Sequence, residues 1–296
     1  GANGLLGQKL IAATCKSDTI QVIGTGRGPD RNPAGPHQYR TLDVTDRKAV
    51  LSTVAEVAPD AIINTAAMTQ VDQCETDREA CWEQNVGAVG HLIEACHPID
   101  CHLIHLSTDF IFDGTAGPYP EDAEPNPLSY YGESKLASER LLEESSIDYA
   151  IVRTVLVYGI VPDMSRSNII LWVKKNLEGR QSIKVVNDQW RSPTLAEDLA
   201  QGCLLIAQQR ATGVYNVSGK DLLTPYDMAV ATATFFGLDM STMEEADGSI
   251  FQQTARRPAR TGFILDKARK QLGYEPRSFK EGLAIVQRQL AELMVD

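Results

Sequence analysis

The stretch Gly1-Ala2-Asn3-Gly4-Leu5-Leu6-Gly7 opens the chain and runs into the helix-forming residues Gln8 to Ile11. Its GxxGxxG spacing allows a tight backbone turn, and it lets a pyrophosphate approach the N–H groups at a helix N-terminus. The pattern predicts a dinucleotide-binding loop, with a flexible glycine-rich segment as the alternative. Such a loop follows a strand, so we expect a short apolar strand before Gly1 in the centre of a sheet. The predicted cofactor contacts in this loop are Gly1, Asn3, Gly4, Leu5, Leu6 and Gly7.

The first half of the chain alternates short apolar runs with helical patterns. The runs predict strands at 19–23, 61–64, 102–106 and 149–152, and the longer patterns predict helices at 46–57, 75–96 and 130–144. Alternation of this kind, with continuously apolar strands, indicates a parallel sheet that helices cover on both faces. The predicted fold class is therefore α/β, a Rossmann-type doubly wound parallel sheet.

After about residue 158 the pattern becomes less regular, which indicates a smaller C-terminal lobe. Further strands are predicted at 184–186 and 213–217, and an amphipathic helix at 279–293. We expect the Rossmann domain to comprise 1–157 and about 184–212. The smaller lobe is expected to comprise about 158–183 and 213–296.

Composition and charge limit the classes of ligand and compartment. The net charge of -11 argues against nucleic acid or an anionic membrane as partner, because both need a basic face. The cysteines form no CxxC pair, and no transmembrane or signal-peptide pattern occurs, so we expect a cytoplasmic protein. No metal site is predicted, because no common zinc spacing fits the cysteines and histidines that lie close together at Cys96, His97, Cys101, His102 and His105.

Residues after two of the predicted strands bear on dinucleotide binding. In dinucleotide-binding sheets an acidic residue after the second strand binds a free ribose 2′-hydroxyl, whereas an arginine accommodates a 2′-phosphate. Arg27 stands there, which favours NADPH over NADH, with a solvated surface arginine as the alternative. Asp43 and Val44 follow the next strand, where an acceptor can bind the adenine amino group; a helix N-cap is the alternative role of Asp43.

Tyr131 and Lys135 form a YxxxK pair, and residues four apart share one face of a helix. An ammonium near a phenol lowers the phenol pKa, and such a tyrosine can protonate a carbonyl oxygen as hydride arrives at carbon. Ser107 and Thr108 follow a buried strand, where a hydroxyl can bind the same oxygen or make a local turn. Asn85, unfavourable inside a helix, is expected to anchor a proton-relaying water near Lys135 or to bond a backbone carbonyl. These patterns predict a carbonyl reductase.

Seven segments occur in the order found in one known family. They are GANGLLG, NTAAMTQVD, NVGAVGHL, LSTDFIFDG, YGESKLASE, VRTVLVYG and VVNDQWRSPT. Together they resemble the dTDP-4-dehydrorhamnose reductases, within the extended short-chain dehydrogenases/reductases, from Gly1 to about Gly273. The resemblance implies an NADP-binding Rossmann domain, a sugar-nucleotide-binding lobe, and NADPH-dependent reduction of dTDP-4-dehydro-L-rhamnose to dTDP-L-rhamnose. NADH is the alternative cofactor, and a homodimer is compatible with the sequence.

The resemblance also implies roles for individual residues. It places the catalytic hydroxyl, tyrosine and lysine on Thr108, Tyr131 and Lys135. The implied cofactor contacts beyond the opening loop are Asp43, Ala66, Ala67, Thr69, Ser107, Tyr131 and Lys135. The implied substrate contacts are Val71, Thr108, Asp109, Phe110 and Tyr131. Arg257 and Arg260, in the RRPAR stretch, are candidates to bind the diphosphate, with a solvated basic turn as the alternative.

Departures from the family pattern leave the sugar and the class of reaction open. Val155-Leu156 stands where the family usually has Ser-Trp or Ala-Trp, and Trp190-Arg191 where it commonly has Phe-Gly. Another extended enzyme, an epimerase or a dehydratase, is one alternative. Thr108-Asp109-Phe110 lacks the second acidic residue usual in dehydratases, and Arg27 argues against tightly bound NAD. The other alternative is a non-catalytic NADP-binding subunit similar to the methionine adenosyltransferase beta subunits.

Overall fold

The computed structural model describes residues 1–15, 17–33, 35, 37–163, 167–251 and 253–293. The strands are β1 (Ile23–Gly26), β2 (Gln38–Thr41), β3 (Ala61–Asn64), β4 (His102–Thr108), β5 (Tyr149–Thr154), β6 (Val157–Tyr158), β7 (Ile183–Val186), β8 (Thr194–Leu195), β9 (Gly213–Asn216) and β10 (Met243–Ala246). The helices are α1 (Leu5–Thr14), α2 (Arg47–Val57), α3 (Val71–Thr76), α4 (Arg78–Trp82), α5 (Ala88–Cys96), α6 (Tyr130–Glu143), α7 (Ile169–Glu178), α8 (Ala196–Gln209), α9 (Pro225–Phe236), α10 (Asp266–Leu272) and α11 (Phe279–Leu293).

The main sheet is parallel and has the strand order β3-β4-β5-β9. A separate parallel pair, β1-β2, lies on the other side of the glycine loop. The Ala2 N–H donates to the Thr25 oxygen of β1 at 2.9 Å, and a Cβ on Gly1 would lie 2.1 Å from Thr65 Oγ1, just after β3. The loop therefore lies between the carboxyl ends of β1 and β3, and only glycine fits at its first position.

Helices cover both faces of the main sheet, as the alternating pattern predicts. Adjacent residues of β4 point to opposite faces, so Ile104 packs with Leu10 of α1 and Leu199 of α8. Leu103 packs on the other face with Val50 of α2 and Val89 of α5. The predicted α/β Rossmann-type fold class is confirmed.

The second lobe has its own core and a small parallel sheet, β7-β10. Ile170 of α7, Met228 of α9 and Leu283 of α11 form the centre of one apolar cluster. The expected division of the chain needs two corrections. β9 pairs with β5 in the Rossmann sheet, and β7 pairs with β10 outside it. Local pattern assigned these strands to the wrong lobes because a strand's partner is a non-local property.

Two further boundaries differ from the sequence prediction. The strand expected at 19–23 forms at Ile23–Gly26, where pairing with β2 begins. The helix expected at 75–96 is divided into α4, a π-helical segment at Glu83–Gly87 and α5. The π segment contains Asn85, whose side chain bonds outside its own helix, and such segments are frequent at functional sites. None of the described helices combines the length and apolar character needed to span a bilayer.

Candidate active site

The candidate site lies at the carboxyl end of β4, against the first turns of α6. Ser129 caps α6 through a hydrogen bond from the Gly132 N–H, which fixes the start of the helix. A Cβ on Gly132 would lie 2.2 Å from the Phe110 carbonyl oxygen, so glycine allows the segment after β4 to touch α6. This contact brings Thr108 and Tyr131 together, although they come from different elements.

Tyr131 and Thr108 meet as the sequence predicts. Both side chains are buried, and the Thr108 hydroxyl lies close enough to the phenol to affect its pKa. The Phe110 ring packs edge-on to the Tyr131 ring, with 5.7 Å between centroids. Burial raises the pKa of Tyr131 above its ordinary value; the nearby Thr108 hydroxyl opposes this shift and the Asp109 charge reinforces it. The phenol therefore carries its proton at neutral pH.

Lys135 lies one turn further along α6, but its ammonium nitrogen does not act on the phenol in the expected way. The Nζ atom lies 2.8 Å from His105 Nε2, and Lys135 is 1% exposed. Burial lowers the pKa of Lys135 to about 8, while the charge of Glu139 opposes this shift. The expected lowering of the phenol pKa is wrong for this structure, because burial dominates at Tyr131.

Asn85 holds the loop after β3 against α6. Its Oδ1 accepts from the Met68 N–H at 2.8 Å, and its Nδ2 donates to the Met68 oxygen and to Ser134 Oγ, both at 3.0 Å. These bonds use both ends of the amide. Of the two expected roles, the structure shows the bond to a backbone carbonyl, and the anchoring of a relay water stays a prediction.

The glycine loop and the first turn of α1 contain Gly1, Asn3, Gly4, Leu5, Leu6 and Gly7. Gly4 is the N-cap of α1, with no side-chain cap and no acidic residue in the first turn. Asn3 instead braces neighbouring loops, donating to the Pro29 oxygen and to the Tyr39 hydroxyl, both at 2.9 Å. The uncapped, half-buried N-terminus of α1 leaves donors and a favourable dipole for an anionic group.

The other predicted cofactor residues surround this loop. Arg27 is exposed after β1, and its charge acts on Asp43 after β2. Burial by itself would raise the pKa of Asp43. Hydrogen bonds from Thr45 and the charge of Arg27 outweigh burial, so the pKa of Asp43 is below its ordinary value. The Val44 carbonyl bonds to His91. After β3, Ala66 and Ala67 are half-buried and Thr69 is exposed. Among the described residues, the buried Ser107 hydroxyl has no hydrogen-bond partner.

Asp109 connects Thr108 to residues of the second lobe. Its carboxylate accepts from the Thr108 hydroxyl at 3.2 Å and from the Thr261 hydroxyl, and it lies 3.9 Å from Arg191. Burial raises the pKa of Asp109, while Arg191 and the two hydroxyls oppose this effect. Arg191 also donates to the Pro258 oxygen at 2.7 Å. The Asp109 carboxylate is therefore bound by groups of the protein itself.

The two candidate arginines of the RRPAR stretch have different surroundings. Arg257 donates to both carboxylate oxygens of Asp72, at 2.6 and 3.2 Å, near Val71 at the start of α3. Arg260 is exposed, and its guanidinium lies 5.6 Å from the centre of the Trp190 ring. Leu156, one of the departures from the family pattern, is 43% exposed beyond β5. Arg260 is therefore the more accessible of the two cations.

Sequence reasoning missed four residues of this network: His105, Asp72, Arg191 and Thr261. His105 was considered only as a metal ligand, although a histidine between Ile104 and Leu106 of a buried strand, two residues before Ser107, was a signal. Arg191 was noted only as a departure from the family pattern. Asp72 and Thr261 had no local signal, since their partners are far away in the sequence.

The parallel sheet and the buried contact between Tyr131 and Thr108 define the class as a Rossmann-type short-chain reductase. The chain matches the model of the RmlD substrate binding domain over residues 1–292, and it belongs to that family. The family's characterised relatives include oxidoreductases that act on nucleotide sugars.

Three curated relatives differ in function. The probable low-salt glycan biosynthesis reductase Agl14 of Haloferax volcanii is 30% identical over 97% of this chain and 95% of its own length. The methionine adenosyltransferase 2 subunit beta of Xenopus tropicalis is 32% identical over 81% and 72%. The dTDP-4-keto-6-deoxy-D-glucose reductase of Streptomyces niveus is 34% identical over 81% and 78%.

Two solved structures are similar over nearly their whole length. The dTDP-4-dehydrorhamnose reductase of Clostridium acetobutylicum superposes with a TM-score of 0.85 at 27% identity, covering 98% of each chain. The dTDP-4-dehydrorhamnose reductase of Bacillus anthracis, solved in complex with NADP, gives 0.82 at 26% identity over 98% and 97%.

Proposed function

We propose that this chain uses NADPH to reduce the 4-keto group of a nucleotide-activated deoxy sugar, with dTDP-4-dehydro-L-rhamnose as the first substrate to test. The observation that carries the proposal is the buried contact between the Tyr131 phenol and the Thr108 hydroxyl beside Lys135. Relatives named as reductases of 4-keto deoxy-sugar nucleotides support the substrate class.

The residues of the chain fit a dinucleotide. The uncapped N-terminus of α1 offers N–H donors to the pyrophosphate, and the unpartnered Ser107 hydroxyl lies beside the catalytic pair. Arg27 is exposed at the end of β1, where it can meet a 2′-phosphate. Ala66, Ala67 and Thr69 form the loop after β3 that borders the same edge of the sheet. The complex of the Bacillus anthracis relative with NADP supports this choice of cofactor.

The protein's part in the reaction is to hold the carbonyl oxygen and to supply a proton. NADPH, when bound, supplies the hydride. Thr108 donates a hydrogen bond to the carbonyl oxygen, and Tyr131 transfers its phenolic proton to that oxygen. Burial favours this direction, because it keeps the phenol protonated. Arg260 is placed to meet the nucleotide diphosphate, and Phe110 and Val71 to contact the sugar.

The test is loss of NADPH absorbance with dTDP-4-dehydro-L-rhamnose, using Tyr131→Phe and Tyr130→Phe as a matched pair. Tyr130 is the adjacent tyrosine, but its ring packs on Trp82 and Arg78 outside the site. We expect Tyr131→Phe to lower kcat by about 10²–10⁴-fold and Tyr130→Phe to change it less than about threefold. Equal activity of the two variants would show that Tyr131 is not the proton donor.

The same assay separates the alternatives. Turnover of other 4-keto-sugar nucleotides, but not of the rhamnose precursor, would change the substrate and keep the mechanism. Tight NADPH binding without turnover of any keto sugar would favour a regulatory role like that of the methionine adenosyltransferase beta subunits. Pull-down of a methionine adenosyltransferase catalytic subunit would then be the next measurement.

A further inference from the structure

A chain of polar side chains lies behind the catalytic tyrosine, and it is almost completely buried. Asn64 is 6% exposed, His105 and Lys135 are each 1% exposed, and Ser138 is 0% exposed. Asn64 Nδ2 lies 3.2 Å from His105 Nδ1, while His105 Nε2 lies 3.0 Å from Ser138 Oγ and 2.8 Å from Lys135 Nζ. Because these side chains are almost completely buried, the protons that lie between them must find acceptors among them.

The backbone fixes the direction of the bonds at both ends. The Ala66 N–H donates to Asn64 Oδ1 at 3.1 Å, so the amide nitrogen of Asn64 must face His105 Nδ1. Ser138 donates its proton to the Lys135 carbonyl oxygen at 2.7 Å, which leaves an oxygen lone pair toward His105. His105 Nδ1 therefore accepts, and the proton of the neutral imidazole is on Nε2.

This arrangement has too few acceptors if Lys135 is charged. An ammonium has no lone pair, so Nζ and the Nε2–H would face each other as two donors at 2.8 Å. If the imidazole proton were on Nδ1 instead, that N–H would face the Asn64 amide nitrogen, which is also a donor. If the Asn64 amide were also rotated, its nitrogen would face the Ala66 N–H, and two donors would again meet. A neutral amine accepts from Nε2–H and resolves the conflict, so the geometry favours the neutral form.

The remaining charges around Lys135 do not remove this preference. Glu139, on the same helix, is bound by Arg153 of β5 at 2.7 Å, and Cys81 approaches from α4. Burial lowers the pKa of Lys135 to about 8, more than Glu139 and Cys81 raise it. Burial lowers the pKa of His105 well below its ordinary value, and a charge on Lys135 would lower it further, so the imidazole is neutral in either state of Lys135.

We infer that His105 and Asn64 favour the neutral amine of Lys135, so that this form predominates in the free protein in mildly alkaline solution, and that dinucleotide binding there is coupled to uptake of one proton by Lys135. The inference rests on the proposed function, because NADPH is the ligand. The Nζ lone pair takes the proton from solvent, and no other bond is made or broken. A dinucleotide brings phosphate charge and ribose oxygens, which favour the ammonium form. His105 is thus a positioning residue that sets the charge of Lys135.

Isothermal titration of NADPH in two buffers of different ionisation enthalpy counts the protons taken up. The measurement is made at about pH 8.5 in the Tyr131→Phe protein, so that the phenol contributes nothing and a 2′-phosphate of pKa about 6 stays ionised. We expect about one proton taken up per NADPH bound, and not less than about half. Binding without proton uptake would overturn the inference and leave the proposed function standing. Failure of NADPH to bind would overturn both.

His105→Gln provides the specific variant, because its amide oxygen can accept from an ammonium and so removes the conflict. We expect proton uptake to fall below about 0.2 per NADPH, with the Kd changed less than about tenfold. The matched control is His102→Gln, buried at the other end of β4 near Arg210 and Asp148, which should keep the parent value. Unchanged uptake in His105→Gln would overturn the role of His105. If His105→Gln does not fold, the count in the Tyr131→Phe protein alone decides whether Lys135 takes up the proton.

Discussion

At the scale of single residues, Lys135 shows how strongly burial alters the chemistry of one side chain. A lysine that is 1% exposed in a folded protein carries the cost of removing an ammonium from water. The same burial keeps Tyr131 protonated. The pair therefore differs from the expectation for YxxxK residues considered in isolation, where the ammonium simply lowers the phenol pKa.

We expect Lys135→Met to stabilise the protein while reducing its activity. The folded pKa of Lys135, about 8, lies below the ordinary value of 10.5, which corresponds to about 3 kcal/mol at neutral pH. Between these values the unfolded chain holds the proton and the folded chain does not, so the parent protein gains stability as the pH rises. The advantage of the variant should therefore be greatest at pH 7 and decrease between about pH 8 and 10. Urea unfolding of both proteins across this range measures it, and an advantage independent of pH would contradict the explanation.

Arg27→Ala is expected to weaken NADPH binding by about 10–100-fold and to change NADH binding less than about threefold. The reason is the loss of a charge-assisted bond to the 2′-phosphate, which NADH lacks. Fluorescence titration with both cofactors gives the two Kd values. Arg40→Ala is the control, because Arg40 lies on the neighbouring strand but is paired with Glu56 at 2.8 Å. Equal loss for both cofactors would remove the 2′-phosphate role of Arg27.

At the scale of secondary-structure elements, one buried ion pair fixes α6 on the sheet. Arg153 of β5 and Glu139 of α6 are 4% and 1% exposed, with 2.7 Å between Nη2 and Oε2. Arg153 also donates to the Glu121 oxygen at 2.8 Å. The pair holds the helix that carries Tyr131 and Lys135 at a set height over β4 and β5.

Glu139→Ala is expected to lower the free energy of unfolding by about 3–5 kcal/mol, because it leaves a buried guanidinium without its partner. Glu56→Ala, which breaks the exposed Arg40–Glu56 pair, should cost less than about 1 kcal/mol. Chemical denaturation of the two variants compares them directly. Similar losses would mean that the buried pair has no special role in holding α6.

At the scale of the whole molecule, two carboxylates of the Rossmann domain hold the segment that contains the RRPAR stretch. Asp72 accepts from the Ala255 N–H at 2.9 Å and from Arg257, and Asp109 accepts from Thr261. The hydrogen bond from Arg257 lowers the pKa of Asp72 more than burial raises it. Arg260 lies in the sequence between Arg257, which Asp72 holds, and Thr261, which Asp109 holds. Its position therefore depends on the Rossmann domain as well as on the second lobe.

We expect Asp72→Asn to raise the KM for the nucleotide sugar about tenfold, because one anchor of the segment that presents Arg260 is weakened. The KM for NADPH should change less than about twofold, since Arg260 is proposed to meet the nucleotide sugar and not the dinucleotide. Steady-state kinetics with each substrate varied in turn separates the effects. Asp77→Asn, at an exposed carboxylate just after α3, should leave both constants unchanged. A larger effect on NADPH than on the sugar would contradict this assignment.

Much of the architecture follows from the sequence, because local pattern and local geometry determine it. The positions of β3, α2, α6 and α11 agree with prediction to within about one or two residues, which is the usual uncertainty of helix and strand ends. Asp46 caps α2, and Ser129 caps α6, through bonds that need only neighbouring residues. The long helix expected at 75–96 was wrong because Asn85 bonds to Met68, a contact across the fold.

By itself, the sequence determined the alternating parallel sheet, the glycine turn at the start of α1 and the joint location of Thr108, Tyr131 and Lys135 at one edge. These features depend on periodicity, on the freedom of glycine and on the common direction of parallel strands, all of which are readable along the chain. The tertiary structure alone decided which lobe holds β7 and β9, which carboxylate binds Arg257, and that Lys135 faces His105. Strand partners, burial and the pKa of a buried group depend on residues distant in sequence, so no local pattern specifies them.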